Sequence, residues 1–95
     1  MRDYELTVII NPEFSEEEFE TSLDNISRFI TDRGGVIADI VRQGKKRLAY
    51  PIKHKNEGNY VLAKIQIEPT LGKEIESNLM ISEDVIRHLL IKLDS

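Results

Sequence analysis

The sequence contains no cysteine, so neither a disulfide, a thiolate metal site nor a cysteine nucleophile is available to it. That fits a reducing compartment. Glycine is scarce, at five residues, and no G-x-G-x-x-G or Walker-type string occurs, which excludes a Gly-rich phosphate cradle. Three prolines and no low-complexity stretch leave no linker to divide the chain, so its 95 residues are expected to form one domain, 1–95. No apolar run approaches the ~18 residues that a membrane span requires. The start, MRDYELTVII, does not read as a signal peptide, because Asp3 and Glu5 interrupt its apolar stretch. These absences point to a cytosolic domain with no membrane partner. The last absence is local. From Arg42 to Lys55 there are six cations and no acid, although the chain as a whole carries a formal charge of −4. Charge gathered in this way concerns partners more than fold.

What is present reads as six elements. Tyr4 to Pro12 alternates, with Leu6, Val8 and Ile10 on one side, and Asn11-Pro12 ends the strand. Ser15 is placed to cap a helix over about 16–33, with Glu18 three residues on to complete a capping box. Glu16 and Glu17 occupy the electropositive first turn. Phe19, Leu23, Ile26 and Ile30 follow at helical spacing, and Gly34 is a C-terminal stop. Residues 35–52 then form a long strand in which Gly44 marks a bulge or bend. A polar tip, KHKNEG, leads to a third strand with Val61, Ala63, Ile65 and Ile67 on one face. Pro69-Thr70 opens a shorter helix carrying Leu71, Ile75 and Leu79, and DVIRHLLIK closes the chain as a strand.

The order β-α-β-β-α-β predicts an α+β, ferredoxin-like domain: a four-stranded antiparallel sheet with both helices on one face. In the strand order 4-1-3-2 the other face is open. Ile9, Tyr60, Leu62 and Lys64 are expected to face outward, as is the row Val85, Arg87, Leu89 and Ile91, because a long cation is cheaper at an open face than under helices. Ile9, Leu62, Leu89 and Ile91 would form an apolar patch of the kind that docks another protein.

Catalysis finds no constellation. His54 and His88 have no evident nucleophile or orienting partner. The acidic run Glu16, Glu17, Glu18 and Glu20 is explained by its place at a helix N-terminus, so no metal site is expected there. The basic segment has two readings: cations that protect an edge strand from pairing with other sheets, and an RNA-binding surface. The second is favoured because Tyr50 and His54, flat groups able to stack on unpaired bases, interleave with the cations. Arg2, Arg87 and Lys92 would form a further basic zone on the neighbouring first and last strands.

The strings MRDYELTVIINPEFSEEEFE and GKKRLAYPIKHKNEGNYVLAKIQIEP, with VIRHLLIK near the end, closely resemble the family of protein six of the bacterial small ribosomal subunit. Gly44, Arg47, Leu48, Ala49, Tyr50, Pro51, Ile52 and Lys53 match its motif as they stand. The resemblance covers residues 1–93 and implies a ribosomal, non-enzymatic, cofactor-free protein. Its implied partners are the central domain of small-subunit ribosomal RNA and protein eighteen of that subunit, with no small-molecule substrate. By position, Arg2, Tyr4, Arg87 and Lys92 are expected to face RNA. Lys45, Lys46, Arg47, Lys53 and Lys55 are expected to meet nearby RNA. Ile9, Tyr50, Tyr60, Leu62, Leu89 and Ile91 are expected to meet the partner protein. The alternative is a ligand-sensing ferredoxin-like module that homodimerises through its sheet. Two other users of this topology fit poorly. An RNA-recognition motif wants aromatics where Ala63 and Ile65 stand, and an acylphosphatase-like enzyme wants a phosphate cradle where NPEFSEEE stands.

Overall fold

The computed structural model describes residues 1–93 and shows the expected element order. It runs β1 (Arg2–Ile10), α1 (Glu16–Asp32), β2 (Val36–Ile52), β3 (Lys55–Ile67), α2 (Pro69–Ile81) and β4 (Val85–Lys92). The strands form one antiparallel sheet in the order β2-β3-β1-β4. The main core lies between the sheet and the helices. It brings Leu6, Val8 and Ile10 together with Val61, Ile65 and Ile67 from β3, Phe19, Leu23 and Ile30 from α1, and Leu71, Ile75 and Leu79 from α2. Each such side chain stabilises the fold by about 1.5–3 kcal/mol through its removal from water.

Local chemistry sets the ends of α1. The Ser15 hydroxyl accepts from the Glu18 amide at 3.1 Å, and the Glu18 carboxylate accepts from the Ser15 amide at 2.9 Å. The hydrogen bond from the Ser15 amide, and after it the Ser15 side chain, hold the Glu18 carboxyl below its ordinary pKa. At the other end Gly34 takes φ +90, where a side chain is strained. A Cβ on the next residue, Gly35, would collide with Ile30 and Ile67, so the α1–β2 corner closes tightly against the core.

Besides the β2 register shifts between Ile37 and Asp39 and between Arg42 and Gly44, the latter where a bulge was expected, three irregularities separate the fold from simple alternation. In β4, Ile9 pairs with Arg87 but Ile10 pairs with Val85, leaving Ile86 as an extra residue. Val85 therefore joins the helix-side core, whereas Ile86 packs on the other face against Ile9 and Leu48. The expected outward row is corrected at Val85 and holds for Arg87, Leu89 and Ile91, which pair with open-face positions Ile9, Thr7 and Glu5.

The second irregularity is the β2–β3 tip. The expected six-residue polar tip is only Lys53-His54, at φ 50 and φ 64, with Ile52 already paired to Lys55. Two successive left-handed residues make the tight hairpin turn whose twist matches the strands. Neither residue is the glycine or asparagine such turns favour, which is why composition did not announce it. The third lies just before the tip: Arg47 pairs with Glu57 and Ile52 with Lys55, so Leu48–Pro51 stand opposite Asn56 alone. This surplus bends the end of the hairpin over the open face. Leu48 and Ile86 bury Ile9 there, with Ile52 and Tyr60 packed at the margin. Gly58 makes the close approach possible, because a Cβ would fall inside the Ile9 Cγ2 methyl and meet Ile86 and Leu48 as well.

Candidate nucleic-acid and partner interface

The face of the sheet away from the helices is ordered in cross-strand rows, because residues opposite each other in the register share a side. The first row is Ile91, Glu5, Lys64 and Asp39, running from β4 to β2. The second is Leu89, Thr7, Leu62 and Val41. The third is Arg87, Ile9, Tyr60 and Gly44. One end of the face thus carries Glu5, Lys64 and Asp39 with Asp3 beyond them, three acids to one cation, and the middle is apolar. The other end is aromatic and cationic. Leu89 at 52 % and Ile91 at 45 % exposure, with Val41 at 45 %, keep the middle open to solvent.

At the cationic end the curled hairpin meets β4. The Arg87 guanidinium donates to the Tyr50 hydroxyl at 2.9 Å. The Lys53 ammonium donates to the Val85 carbonyl at 3.3 Å. Lys46 stands 5.4 Å from the Tyr60 ring centre, within cation–π reach, and its ammonium also donates to the Gln43 side chain at 3.3 Å. A cavity of about 240 Å³ lies beneath, lined by Ile9, Leu48, Tyr50, Tyr60, Arg87 and Leu89 among others. Lys45 and Arg47 sit opposite Asn59 and Glu57 on the hairpin ribbon. Both are exposed, and neither makes a salt bridge among the described residues.

Several expected site residues stand elsewhere. Tyr4 is only 9 % exposed and belongs to the helix-side core, so its ring is not available to stack on RNA. It shares the parity of Leu6 and Val8, which the alternation of β1 already implied. Ile9 is 6 % exposed because the hairpin covers it, and it is withdrawn from the partner patch. Lys55 is ion-paired with Glu13, which draws its charge toward the β1–α1 loop. Arg2 and Lys92 also fail to join Arg87. Arg2 pairs with Ile67 and Lys92 with Tyr4, placing both on the helix-side parity at the far end of the sheet. Seven residue steps along β1 separate the Arg2 position from the Ile9 row, roughly 23 Å at the usual strand rise. The expected single basic zone of Arg2, Arg87 and Lys92 is therefore two zones on opposite faces.

Arg42, within the same basic run, is engaged by α1. Its guanidinium donates twice to the Glu20 carboxylate, at 2.8 and 2.9 Å. These hydrogen bonds hold the Glu20 carboxyl below its ordinary pKa and raise that of Arg42. The pair is exposed, so its role is to fix where α1 meets β2 rather than to add much stability. Sequence reasoning missed Leu48, Gly58 and Ile86, which build the cationic end. The one available signal was the glycine before Tyr60. Among the described residues no group of His, Cys, Asp and Glu side chains converges to hold a metal.

An open-faced ferredoxin-like sheet, with charge and apolar surface sorted along it, presents a surface suited to binding by complementarity. The chain matches the family model described as Ribosomal protein S6 over residues 3–92. It is 38 % identical over 94 residues to the small ribosomal subunit protein bS6 of Desulforudis audaxviator, covering 99 % of this chain and 100 % of that one. It is 40 % identical over 94 residues to its counterpart in Fusobacterium nucleatum, with 99 % and 100 % covered. The crystal structure of 30S ribosomal protein S6 from Thermotoga maritima superposes with a TM-score of 0.91 at 30 % identity, over 97 % of this chain and 87 % of that one. The chain belongs to the ribosomal protein S6 family, the structural and non-enzymatic components of the bacterial small ribosomal subunit.

Proposed function

We propose that this chain binds the central domain of small-subunit ribosomal RNA jointly with protein eighteen of that subunit, using two adjoining surfaces. The observation that carries the reading is the gradient along the open face. RNA meets the cationic end, through Lys45, Lys46, Arg47, Lys53 and Arg87. The partner protein covers the apolar middle, through Leu62, Leu89, Ile91 and the margins of Tyr50 and Tyr60. Asp3, Glu5 and Asp39 outnumber Lys64 beside that middle, and this balance favours a cationic protein and repels phosphate. With a formal charge of −4, the chain has little long-range attraction for RNA by itself. Docking a basic protein first supplies cations and shares the orientational cost of binding.

The Leu62→Glu/Leu89→Glu variant tests the division. It places two carboxylates on the exposed middle while leaving the core and the hairpin cations intact. Joint binding to a central-domain RNA fragment should weaken by at least about a hundredfold, the scale of a lost interface centre. Unchanged joint binding would remove the open face from the account. If the unaltered chain instead self-associates in sedimentation and the variant does not, with no response to protein eighteen, the face belongs to a homodimer.

A further inference from the structure

Arg87 lies on a strand whose neighbours on its own face are apolar, and its long side chain has no carboxylate partner among the described residues. What holds it comes from a part of the chain 37 positions earlier: the Tyr50 hydroxyl accepts a hydrogen bond from Nη1 at 2.9 Å. Tyr50 itself is 59 % exposed, so this is not a core tyrosine satisfying a buried hydroxyl. It reaches β4 because Leu48–Pro51 bulge away from β3 and the hairpin end is anchored on Ile9 and Ile86. The Lys53 ammonium, on the Val85 carbonyl, fastens the same hairpin end beside the β4 bulge. The Tyr50 contact leaves four of the five guanidinium N–H groups of Arg87 for another acceptor. It also removes part of the rotamer freedom that a free arginine loses on binding.

We infer that Tyr50 is a positioning residue, holding the Arg87 guanidinium ready for a phosphate group of the RNA. The inference rests on the reading of Arg87 as an RNA contact. The Tyr50 hydroxyl acts on the RNA only through Arg87, whereas the margin of its ring stays with the partner protein. Losing the hydroxyl alone should therefore weaken binding, and only while Arg87 is present.

The test is a double-mutant cycle on joint binding of the full chain and protein eighteen to the central-domain RNA fragment. The variants are Tyr50→Phe, Arg87→Ala and both together, each first checked by thermal melting. Arg87→Ala should weaken binding and lower the slope of log affinity against log salt by about 0.9 at most, the value for one phosphate contact. Tyr50→Phe should weaken it about three- to tenfold, the usual range for one hydrogen bond, and should add nothing in the Arg87→Ala background. Equal losses from Tyr50→Phe in both backgrounds would show that the hydroxyl acts independently and would overturn the inference. So would no loss from Tyr50→Phe beside a clear loss from Arg87→Ala. If Arg87→Ala itself binds normally, the RNA-contact reading of Arg87 fails and the positioning role with it.

Discussion

Substituting Gly58 by valine should lower the urea midpoint and the melting temperature more than any other single change on the open face. The Gly58 Cα lies against Ile9, and even one methyl would occupy the space of Ile9 Cγ2. Ile9 cannot retreat, because it is buried between Gly58, Leu48 and Ile86 on a central strand. The strain is relieved only if the hairpin end lifts, which re-exposes Ile9, Ile86 and Leu48 to water. Overpacking of this kind costs about 1–3 kcal/mol or more, which for a domain of this size is roughly 5–20 °C in melting temperature. Gly44→Ala is the informative companion. That glycine has φ +85 but open space around it, so its cost is conformational alone, about 1–2 kcal/mol. A Gly58→Val protein as stable as the parent would mean that the hairpin is not packed on the sheet. If Gly58→Val merely lifts the hairpin, Arg87 loses Tyr50 as well, and joint RNA binding falls in a protein that still melts cooperatively.

Neutralising the three cations of the hairpin ribbon, as Lys45→Gln/Lys46→Gln/Arg47→Gln, should instead spare stability and cost RNA binding. All three are exposed and none makes an ion pair among the described residues. Removing them therefore leaves no buried charge unpaired. Each one that meets a phosphate contributes roughly 0.7–0.9 to the slope of log affinity against log salt. The variant should show a slope reduced by about 2–3 and an affinity at moderate salt at least about tenfold lower. An unchanged slope would return these residues to the simpler role of guarding an edge strand, since β2 forms an edge of the sheet. Sedimentation separates the two roles directly, because loss of a guard produces self-association whether or not RNA is bound.

Sequence legibility followed the range of the interactions. Helix α1 was readable from Ser15 to Gly34 because its capping box, first-turn acids and stop are chemistry between residues a few positions apart. Strand parity was readable wherever the period of two ran unbroken. It put Leu62 on the open face and Leu6 beneath the helices, and applied consistently it would have placed Tyr4 in the core. It failed at Val85 and Ile86, because a bulge changes the side of every residue before it and leaves no mark in a run of branched apolar residues. The curl of the hairpin was hidden for a related reason. It follows from Leu48–Pro51 outnumbering Asn56, a property of how two strands pair and not of either strand alone. The covered Ile9, the need for glycine at 58 and the Tyr50–Arg87 hydrogen bond all follow from that curl. The cations were visible as a cluster, whereas their separation into Lys55 with Glu13, Arg42 with Glu20, and Lys45 and Arg47 with no ion pair among the described residues needed the tertiary fold.

Under the proposed function, an acidic chain acquires RNA binding by sharing the task with a basic protein docked on its sheet. The most direct measurement is the affinity of the unaltered chain for a central-domain fragment of small-subunit ribosomal RNA, across a salt series, with and without protein eighteen. Weak binding by the chain alone and tight, steeply salt-dependent binding of the pair are expected. Binding by the chain alone as tight as that of the pair, with the same salt slope, would contradict the proposed function.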